Sequence, residues 1–282
     1  MTRSSFDPLR FKALERSGFN RIAQRYAAGA AMRSALADAL LDAAALAPGQ
    51  RVLDLASGPC LLAHDAARQV LPQGWVLASD IAENMLIEGR RRFDPSDPAA
   101  GALRYAAADA EHLCLPDASF DRVLAGLALF MFPHPNRALS EIRRVLSPGG
   151  RFALSVWGPR EEVPLLHRAQ DCIARVLPPP RIERPSVYRF GNPAELESAL
   201  TAAGLTDVRI EPCRFNCRFD SVDHYWQAFL DLAGGAAESL SRLPDDLQAR
   251  LRDEVALELE SHRIGQTVWE VGALALVATA NA

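Results

Sequence analysis

The sequence predicts a doubly wound α/β fold with a mostly parallel sheet, and three observations support this prediction. Short apolar runs alternate with helical segments between residues 50 and 157, which is typical of strands joined by crossover helices. Acidic residues close the first two runs, at Asp54 and Asp80. In the second half, two further strand-like runs are separated by a long helical stretch, which indicates an antiparallel edge hairpin interrupted by a helical cap.

The first half shows the alternation most clearly. Residues 10–46 are predicted to be helical, with a break near Gly18 and a stop at Pro48-Gly49. Strands are predicted at 51–55, 75–79, 103–107, 120–124 and 151–156. Helices are predicted at 61–70, 84–92 and 137–146. Such a sheet is Rossmann-like, and its ligands are expected at the carboxyl ends of the strands.

The second half is less regular and suggests how the chain divides. Helices are predicted at 164–177, 192–203, 222–232 and 245–262, with strands at 208–211 and 267–278. We expect residues 1–48 to fold over the site as an N-terminal helical segment, with residues 49–158 forming the core. Residues 159–190 and 213–266 are interpreted as cap insertions. The remainder of the core sheet is then expected at 191–212 and 267–282.

Composition limits the classes of partner. The 282 residues are 49% hydrophobic and 23% charged, with a net charge of −4, which argues against a nucleic-acid partner. No apolar run has the length of a membrane span and no signal-peptide core follows Met1, so a cytoplasmic location is expected. The five cysteines are scattered, and no metal site is predicted. The oligomeric state is not predicted.

The ends of the first two strands indicate a nucleoside site. The small residues after Asp54 let a ligand approach the backbone, and Asp80 is placed to bind a ribose diol. The glycines of a dinucleotide fingerprint would align with Ala56, Gly58 and Leu61, so the third glycine is absent. This disfavours a nicotinamide dehydrogenase. The charge of Asp54 suits a cationic ligand, and S-adenosylmethionine, with its sulfonium and ammonium groups, fits both features.

Four segments carry a resemblance to a known family. They are Val-Leu-Asp-Leu-Ala-Ser-Gly at 52–58, Ala-Ser-Asp-Ile-Ala-Glu-Asn-Met at 78–85, Ala-Asp-Ala-Glu-His-Leu at 108–113 with Phe-Asp at 120–121, and Arg-Arg-Val-Leu-Ser-Pro-Gly-Gly-Arg at 143–151. In this order the sequence resembles the class I S-adenosylmethionine-dependent methyltransferases. Within them it is similar to the bacterial small-molecule group related to ubiquinone/menaquinone methyltransferases.

The resemblance implies a cofactor site and a small-molecule substrate. The resemblance implies that the methionine end of the cofactor contacts Asp54, Ala56, Ser57 and Gly58, and that Asp80 binds the ribose hydroxyls. It implies that the adenine contacts Ile81, Met85, Asp109 and Ala110, and that the backbone of Leu127 also contacts the cofactor. The family usually has glycine at the positions of Ala56 and Cys60. These departures motivate an alternative hypothesis, a binding or assembly protein that keeps the fold without transferring a methyl group.

Candidates for acid–base chemistry and substrate contact are less specific. His134, in the loop after the fourth strand, is a candidate general base, and its alternative is a surface turn residue between two prolines. Tyr26 is a second candidate, which alternatively completes the packed face of its helix. An aromatic-lined pocket under the cap would have walls from Phe19, Phe130, Trp157, Tyr188, Phe190 and Trp226.

Overall fold

A seven-stranded sheet organises the protein in a computed structural model that describes residues 6–178, 184–233, 237, 240 and 242–282. The strands are β1 (Arg51–Leu55), β2 (Trp75–Asp80), β3 (Leu103–Ala107), β4 (Phe120–Gly126), β5 (Leu146–Trp157), β6 (Thr206–Phe219) and β7 (Trp269–Asn281). Their order is β3-β2-β1-β4-β5-β7-β6. The first five strands are parallel, and β7 runs antiparallel to both β5 and β6. The predicted fold class is confirmed.

The described helices pack on the sheet and on one another. They are α1 (Pro8–Ala28), α2 (Ser34–Ala44), α3 (Leu61–Val70), α4 (Glu83–Arg92), α5 (Pro98–Gly101), α6 (Pro135–Val145), α7 (Pro164–Val176), α8 (Pro193–Ala202), α9 (Val222–Leu232) and α10 (Asp245–Leu259). Helix α1 packs on α4, and α2 packs on β5 and β7. Helices α7, α9 and α10 contact one another. Among the described residues, no helix is long and apolar enough to cross a membrane.

The central strands are buried along their length, and the site forms where their carboxyl ends meet. Val52, Leu53, Leu124 and Phe152 have at most 2% of their surface exposed, as expected for parallel strands covered on both faces. Because β1 and β2 are parallel, their carboxyl ends meet at one edge of the sheet. Two backbone hydrogen bonds join the loops there: Ser57 N–H to the Ser79 carbonyl and Leu127 N–H to the Ser155 carbonyl, both 2.9 Å.

The N-terminal helical segment differs from its prediction. We expected a break near Gly18, but α1 runs unbroken from Pro8 to Ala28 with Gly18 buried inside it. A glycine within a helix costs only about 1 kcal/mol relative to alanine, which the packing of α1 on α4 offsets. The break lies instead at the 3₁₀ turn Gly29–Arg33, and this turn redirects the chain into α2.

Two strands, β6 and β5, are longer than predicted. The expected strand at 208–211 extends over Thr206–Phe219, so residues 213–219 belong to the sheet and the assignment of these residues to the cap is wrong. Pro212 lies inside β6 and is tolerated there because β6 is an edge strand. After it, Phe215, Cys217 and Phe219 are buried in alternation with exposed residues, which is strand periodicity. Strand β5 likewise begins at Leu146, at the end of the predicted helix 137–146, and not at residue 151 as predicted.

Candidate active site

Two adjoining cavities lie at the carboxyl edge of the sheet. Their common wall consists of Tyr26, Ala56, Gly126 and Leu127. The cavity that extends over β2 and β3, here the β2 cavity, is also lined by Asp80, Ile81, Met85, Asp109 and Ala110. The other, here the α2 cavity, is also lined by Arg33, Leu36, Leu40, Asp54, Ser57 and Ser155. A ligand that extends through both cavities passes Ala56 and Leu127.

Asp80 ties the end of β2 to the loop after β1. Its carboxylate accepts a hydrogen bond from Gly58 N–H and another from Ala82 N–H, both 2.8 Å. Burial raises the pKa of Asp80, and these backbone donors oppose that rise. Gly58 has a φ of 55°, a conformation that glycine adopts without strain. The carboxylate therefore holds the loop in place while facing the β2 cavity.

Asp54 is a second buried carboxylate beside the first. Only 1% of Asp54 is exposed, and its Oδ2 accepts a 2.6 Å hydrogen bond from the Ser57 hydroxyl. Burial raises the pKa of Asp54 to about 7, although the Ser57 hydrogen bond opposes the shift, and the negative charge of Asp80 adds to it. Within the described part of the chain, neither carboxylate forms a salt bridge with a basic side chain. Two such groups favour a cationic ligand.

Asp109 lies at the far end of the β2 cavity, where α1 contacts the core. Its Oδ1 accepts from Glu111 N–H (3.0 Å), and its Oδ2 accepts from the Lys12 ammonium (2.7 Å). Lys12 also donates to Glu111 Oε2 at 2.7 Å. Glu111 in turn accepts from the backbone N–H of His134, again at 2.7 Å. This chain of contacts joins the N-terminal helix to the loops after β3 and β4.

The loop after β1 holds two non-glycine residues in the left-handed region. Ala56 has a φ of 54° and Cys60 a φ of 59°, and these are the positions at which the resembling family has glycine. Such a conformation costs roughly 1–2 kcal/mol for a residue with a Cβ. The Cys60 side chain is buried against Gly89 of α4, where an added Cβ would lie 2.8 Å from its sulfur. The absence of a side chain at position 89 therefore makes room for the cysteine.

We expect Gly89→Ala to destabilise the fold by about 1–3 kcal/mol, because the new methyl overlaps Cys60 and the Pro59 carbonyl. In a Cys60→Gly background this loss is expected to shrink without vanishing, since the Pro59 oxygen stays 2.6 Å from the added Cβ. Urea unfolding of the four proteins measures the coupling. Gly101→Ala is the matched control because its added Cβ meets nothing within 4 Å. Equal losses in both backgrounds would contradict this packing argument.

The aromatic residue Tyr26 closes the common wall of the two cavities. Its ring lies at right angles to that of Phe19, with centroids 5.8 Å apart. A Cβ on Gly58 would lie 3.7 Å from Tyr26 Cε1, so the ring covers the loop directly. Phe19 also lines the β2 cavity. The structure thus brings both of these predicted residues to the site.

The predicted site residues divide into those that line the cavities and those that do not. The lining residues are Tyr26, Asp54, Ala56, Ser57, Asp80, Ile81, Met85, Asp109, Ala110, Leu127 and Phe19. Gly58 contacts the site through its bond to Asp80. Within the described residues, the cavity walls do not include His134, Phe130, Trp157, Tyr188, Phe190 or Trp226. Several of these six pack elsewhere: Tyr188 donates to Gln170 Oε1 at 2.8 Å, and Trp226 stacks on Phe229.

Other lining residues have no motif that identifies them in the sequence. They include Phe11, Lys12, Glu15, Arg33, Met131 and Phe132. Lys12 is distinguished in the sequence only by being the single lysine of the chain. The others come from α1, the turn after it and the loop after β4, and their spacing resembles that of ordinary packed helices and loops.

The residues present fit S-adenosylmethionine. The buried Asp54 and the half-buried Asp80, which form no salt bridge with a described basic residue, match a ligand that carries a sulfonium and an ammonium group. Asp80 would hold the ribose hydroxyls, Ile81 and Met85 would contact the adenine, and Asp109 would accept from its amino group. Asp54 with the backbone of residues 56–58 would hold the methionine end. The bound cofactor would supply a methyl group activated by its positive sulfur.

Comparisons with known proteins agree with this arrangement. A family model described as a methyltransferase domain matches residues 53–154. The ubiquinone/menaquinone biosynthesis C-methyltransferase of Ralstonia pickettii is 44% identical over 124 residues, which are 42% of this chain and 49% of that protein. The demethylmenaquinone methyltransferase of Clavibacter sepedonicus is 33% identical over 178 residues, 58% of this chain and 69% of that protein.

A solved structure shows the same fold. Phosphoethanolamine N-methyltransferase 2 of Haemonchus contortus, in complex with S-adenosyl-L-methionine, aligns with a TM-score of 0.53 and 19% identity, covering 87% of this chain and 52% of that one. The chain spans about half the length of the first curated relatives it matches. The family is nevertheless shown by the Clavibacter relative, of which more than two thirds is covered. The chain belongs to the class I S-adenosylmethionine-dependent methyltransferases and resembles their ubiquinone/menaquinone group.

Proposed function

We propose that the protein transfers the methyl group of S-adenosylmethionine to an oxygen, nitrogen or carbon atom of a small-molecule acceptor. The observation that supports this most directly is a pair of carboxylates at two adjoining cavities: Asp80 lines the β2 cavity, and the buried Asp54 lines the α2 cavity. The β2 cavity has polar groups suited to a nucleoside, the carboxylates of Asp80 and Asp109. The other leads from Ala56 and Leu127 under α1 and α2, where an acceptor can approach the methyl group.

Methyl transfer places modest demands on the protein. The reaction is an in-line displacement, so the chain's residues mainly orient the two reactants and exclude water. Tyr26 is positioned for this task because its ring closes the wall common to both cavities. A general base is needed only for an acceptor that loses a proton in the transition state. Tyr26 is the nearer candidate for that role, since the walls described here do not include His134.

The named relatives suggest an acceptor class. The ubiquinone/menaquinone methyltransferases share the core of this chain, and an aromatic acceptor of quinol type is therefore a candidate. Tyr26, Leu36 and Leu40 line the α2 cavity and offer aromatic and apolar surface to such a ring. The predicted pocket walls at Phe130, Trp157, Tyr188, Phe190 and Trp226 stay predictions, which would require the cap to repack around an acceptor.

Transfer of labelled methyl from S-adenosylmethionine tests this proposal. The pure protein is incubated with the labelled cofactor, small-molecule extracts and a panel of simple quinols and phenols. We expect label in the small-molecule fraction, and loss of that label in Asp80→Asn. A protein that binds S-adenosylhomocysteine yet labels nothing would favour the alternative, a binding or assembly protein, for which the strained Ala56 and Cys60 are the supporting observation.

A further inference from the structure

Leu127 has a strained backbone at the wall that the two cavities share. Its φ is 51°, and among the described non-glycine residues with positive φ it has the bulkiest side chain. A left-handed conformation is unfavourable for such a residue and persists only where neighbouring groups enforce it. Ala56, which belongs to the same wall, has a φ of 54°. Both strained residues therefore lie where a ligand would pass.

Ser155 of β5 supplies the groups that enforce the conformation of Leu127. It is paired in the sheet with Gly126, the last residue of β4, and it is 1% exposed at the wall of the α2 cavity. The Leu127 N–H donates to the Ser155 carbonyl oxygen at 2.9 Å and to the Ser155 hydroxyl oxygen at 3.1 Å. One residue therefore accepts twice from the same strained peptide.

The second acceptor is needed because the two energies involved are similar in size. The strain of a left-handed leucine and the net gain from one neutral hydrogen bond are of the same order, so a single bond would leave this conformation only marginally favoured. The backbone carbonyl of Ser155 would accept from Leu127 with any residue at position 155. The hydroxyl oxygen is the part of the arrangement that depends on serine.

The bonds to Ser155 also fix the direction of the Leu127 carbonyl. In a helical conformation of either hand, the N–H and the C=O of one residue point in nearly opposite directions. Strand β4 lies between β1 and β5, so an N–H that points to β5 directs the carbonyl toward β1, where Ala56 follows. No N–H group in the described part of the chain donates to this carbonyl. Its oxygen is therefore available to a ligand.

We propose that Ser155 is a positioning residue for cofactor binding. Its hydroxyl oxygen holds Leu127 in the left-handed conformation that presents the Leu127 carbonyl to the methionine end of S-adenosylmethionine. This proposal rests on the proposed function, because the cofactor occupies the same two cavities. It adds a side chain of β5 that lies outside the four segments of the family resemblance and acts on the cofactor through its neighbour.

Calorimetric titration of S-adenosylhomocysteine into wild type, Ser155→Ala, Leu127→Gly and the double variant tests this proposal. Ser155→Ala removes the second acceptor, so we expect binding to weaken by about fivefold to tenfold. Glycine adopts the left-handed region without strain, so in the Leu127→Gly background the same change is expected to cost less than about twofold. Such non-additivity assigns the effect to the backbone conformation of residue 127.

Two comparisons separate positioning from a general loss of structure. Methylthioadenosine lacks the amino-acid end, and we expect its affinity to differ by less than about twofold between wild type and Ser155→Ala. Ser79→Ala is the matched control, because Ser79 is also a strand serine with 1% exposure, and its hydroxyl has no hydrogen-bond partner among the described residues. This control should bind S-adenosylhomocysteine as wild type does.

Ser155→Cys repeats the test at a similar side-chain volume, since sulfur is a weak acceptor. Thermal unfolding shows whether each variant is folded, and the cysteine variant replaces the alanine variant if the latter is not. Equal losses of S-adenosylhomocysteine affinity in both backgrounds, or no loss on removing the hydroxyl, overturn the proposal and leave the proposed function standing. A parallel loss for methylthioadenosine overturns it as well. A wild-type protein that binds no S-adenosylhomocysteine contradicts the proposed function itself, and this proposal with it.

Discussion

Asp80→Asn is expected to lower the affinity for S-adenosylhomocysteine by about a hundredfold. The carboxylate accepts from Gly58 and Ala82 N–H groups and would accept from the ribose hydroxyls, and bonds to a charged acceptor contribute roughly 1.5–3 kcal/mol each. An asparagine has one acceptor oxygen instead of two. Its amide N–H group therefore faces at least one of the same backbone N–H donors, and that hydrogen bond is lost. Isothermal titration of wild type and variant measures the loss.

Asp121→Asn is the matched control for this experiment. Asp121 is also a strand aspartate bonded to a backbone N–H, that of Arg51 at 2.8 Å, and it forms a salt bridge with the same arginine. It lies near the start of β4, at the opposite end of the sheet from the cavities. We expect lower stability but an affinity within about twofold of wild type. Equal losses in both variants would show that Asp80 acts only through the fold.

Most of the residues that the sequence analysis assigned to cofactor binding line the two cavities, because their positions depend on local determinants. Asp54, Asp80 and Asp109 each follow an apolar run, and parallel strands bring such positions to one edge whatever the helices between them contain. The family resemblance, not the strand ends, assigned Ile81 and Met85 to the adenine contact, and both residues line the β2 cavity just after β2. The position of each aspartate depends on a strand end rather than on a distant contact.

The contacts that α1 and the turn after it make with the cavities were not predictable in the same way. Lys12 contacts Asp109 across 97 positions of sequence, and Arg33 reaches the cavity only because α1 breaks at residues 29–33 and not at Gly18. No short pattern encodes either contact. The aromatic residues predicted as pocket walls, except Phe19, are not among the described residues that line the two cavities. Their spacing resembles pocket walls, yet Trp226 packs on Phe229 within its own helix.

Cys60 shows how a departure from the family pattern is accommodated. Read alone, a cysteine in a position that usually holds glycine suggests a damaged site. In the fold, its side chain occupies space that Gly89 leaves open, and the left-handed backbone of the loop is retained. Position 89 is 29 residues away on α4, so the compensation becomes visible only once the two elements are packed together.

The affinity for S-adenosylhomocysteine is expected to rise by about tenfold between pH 6 and pH 8. Burial raises the pKa of Asp54 to about 7, so at pH 6 most of the folded protein carries a neutral Asp54. The ammonium group of the ligand stays protonated over this range and prefers the ionised carboxylate, so binding near pH 7 releases a proton. Titrations in buffers with different heats of ionisation measure both the affinity and the released proton.

Asp54→Asn separates this effect from other ionisations. The variant is expected to bind weakly at pH 8 and to show no rise between pH 6 and pH 8, because the titrating group is gone. Stability should respond in the opposite sense. The folded wild type binds the Asp54 proton more tightly than the unfolded chain does, so its free energy of unfolding gains from this group as the pH falls from 8 toward 5. A pH dependence of binding that survives in Asp54→Asn would assign it to Asp80, whose pKa burial also raises.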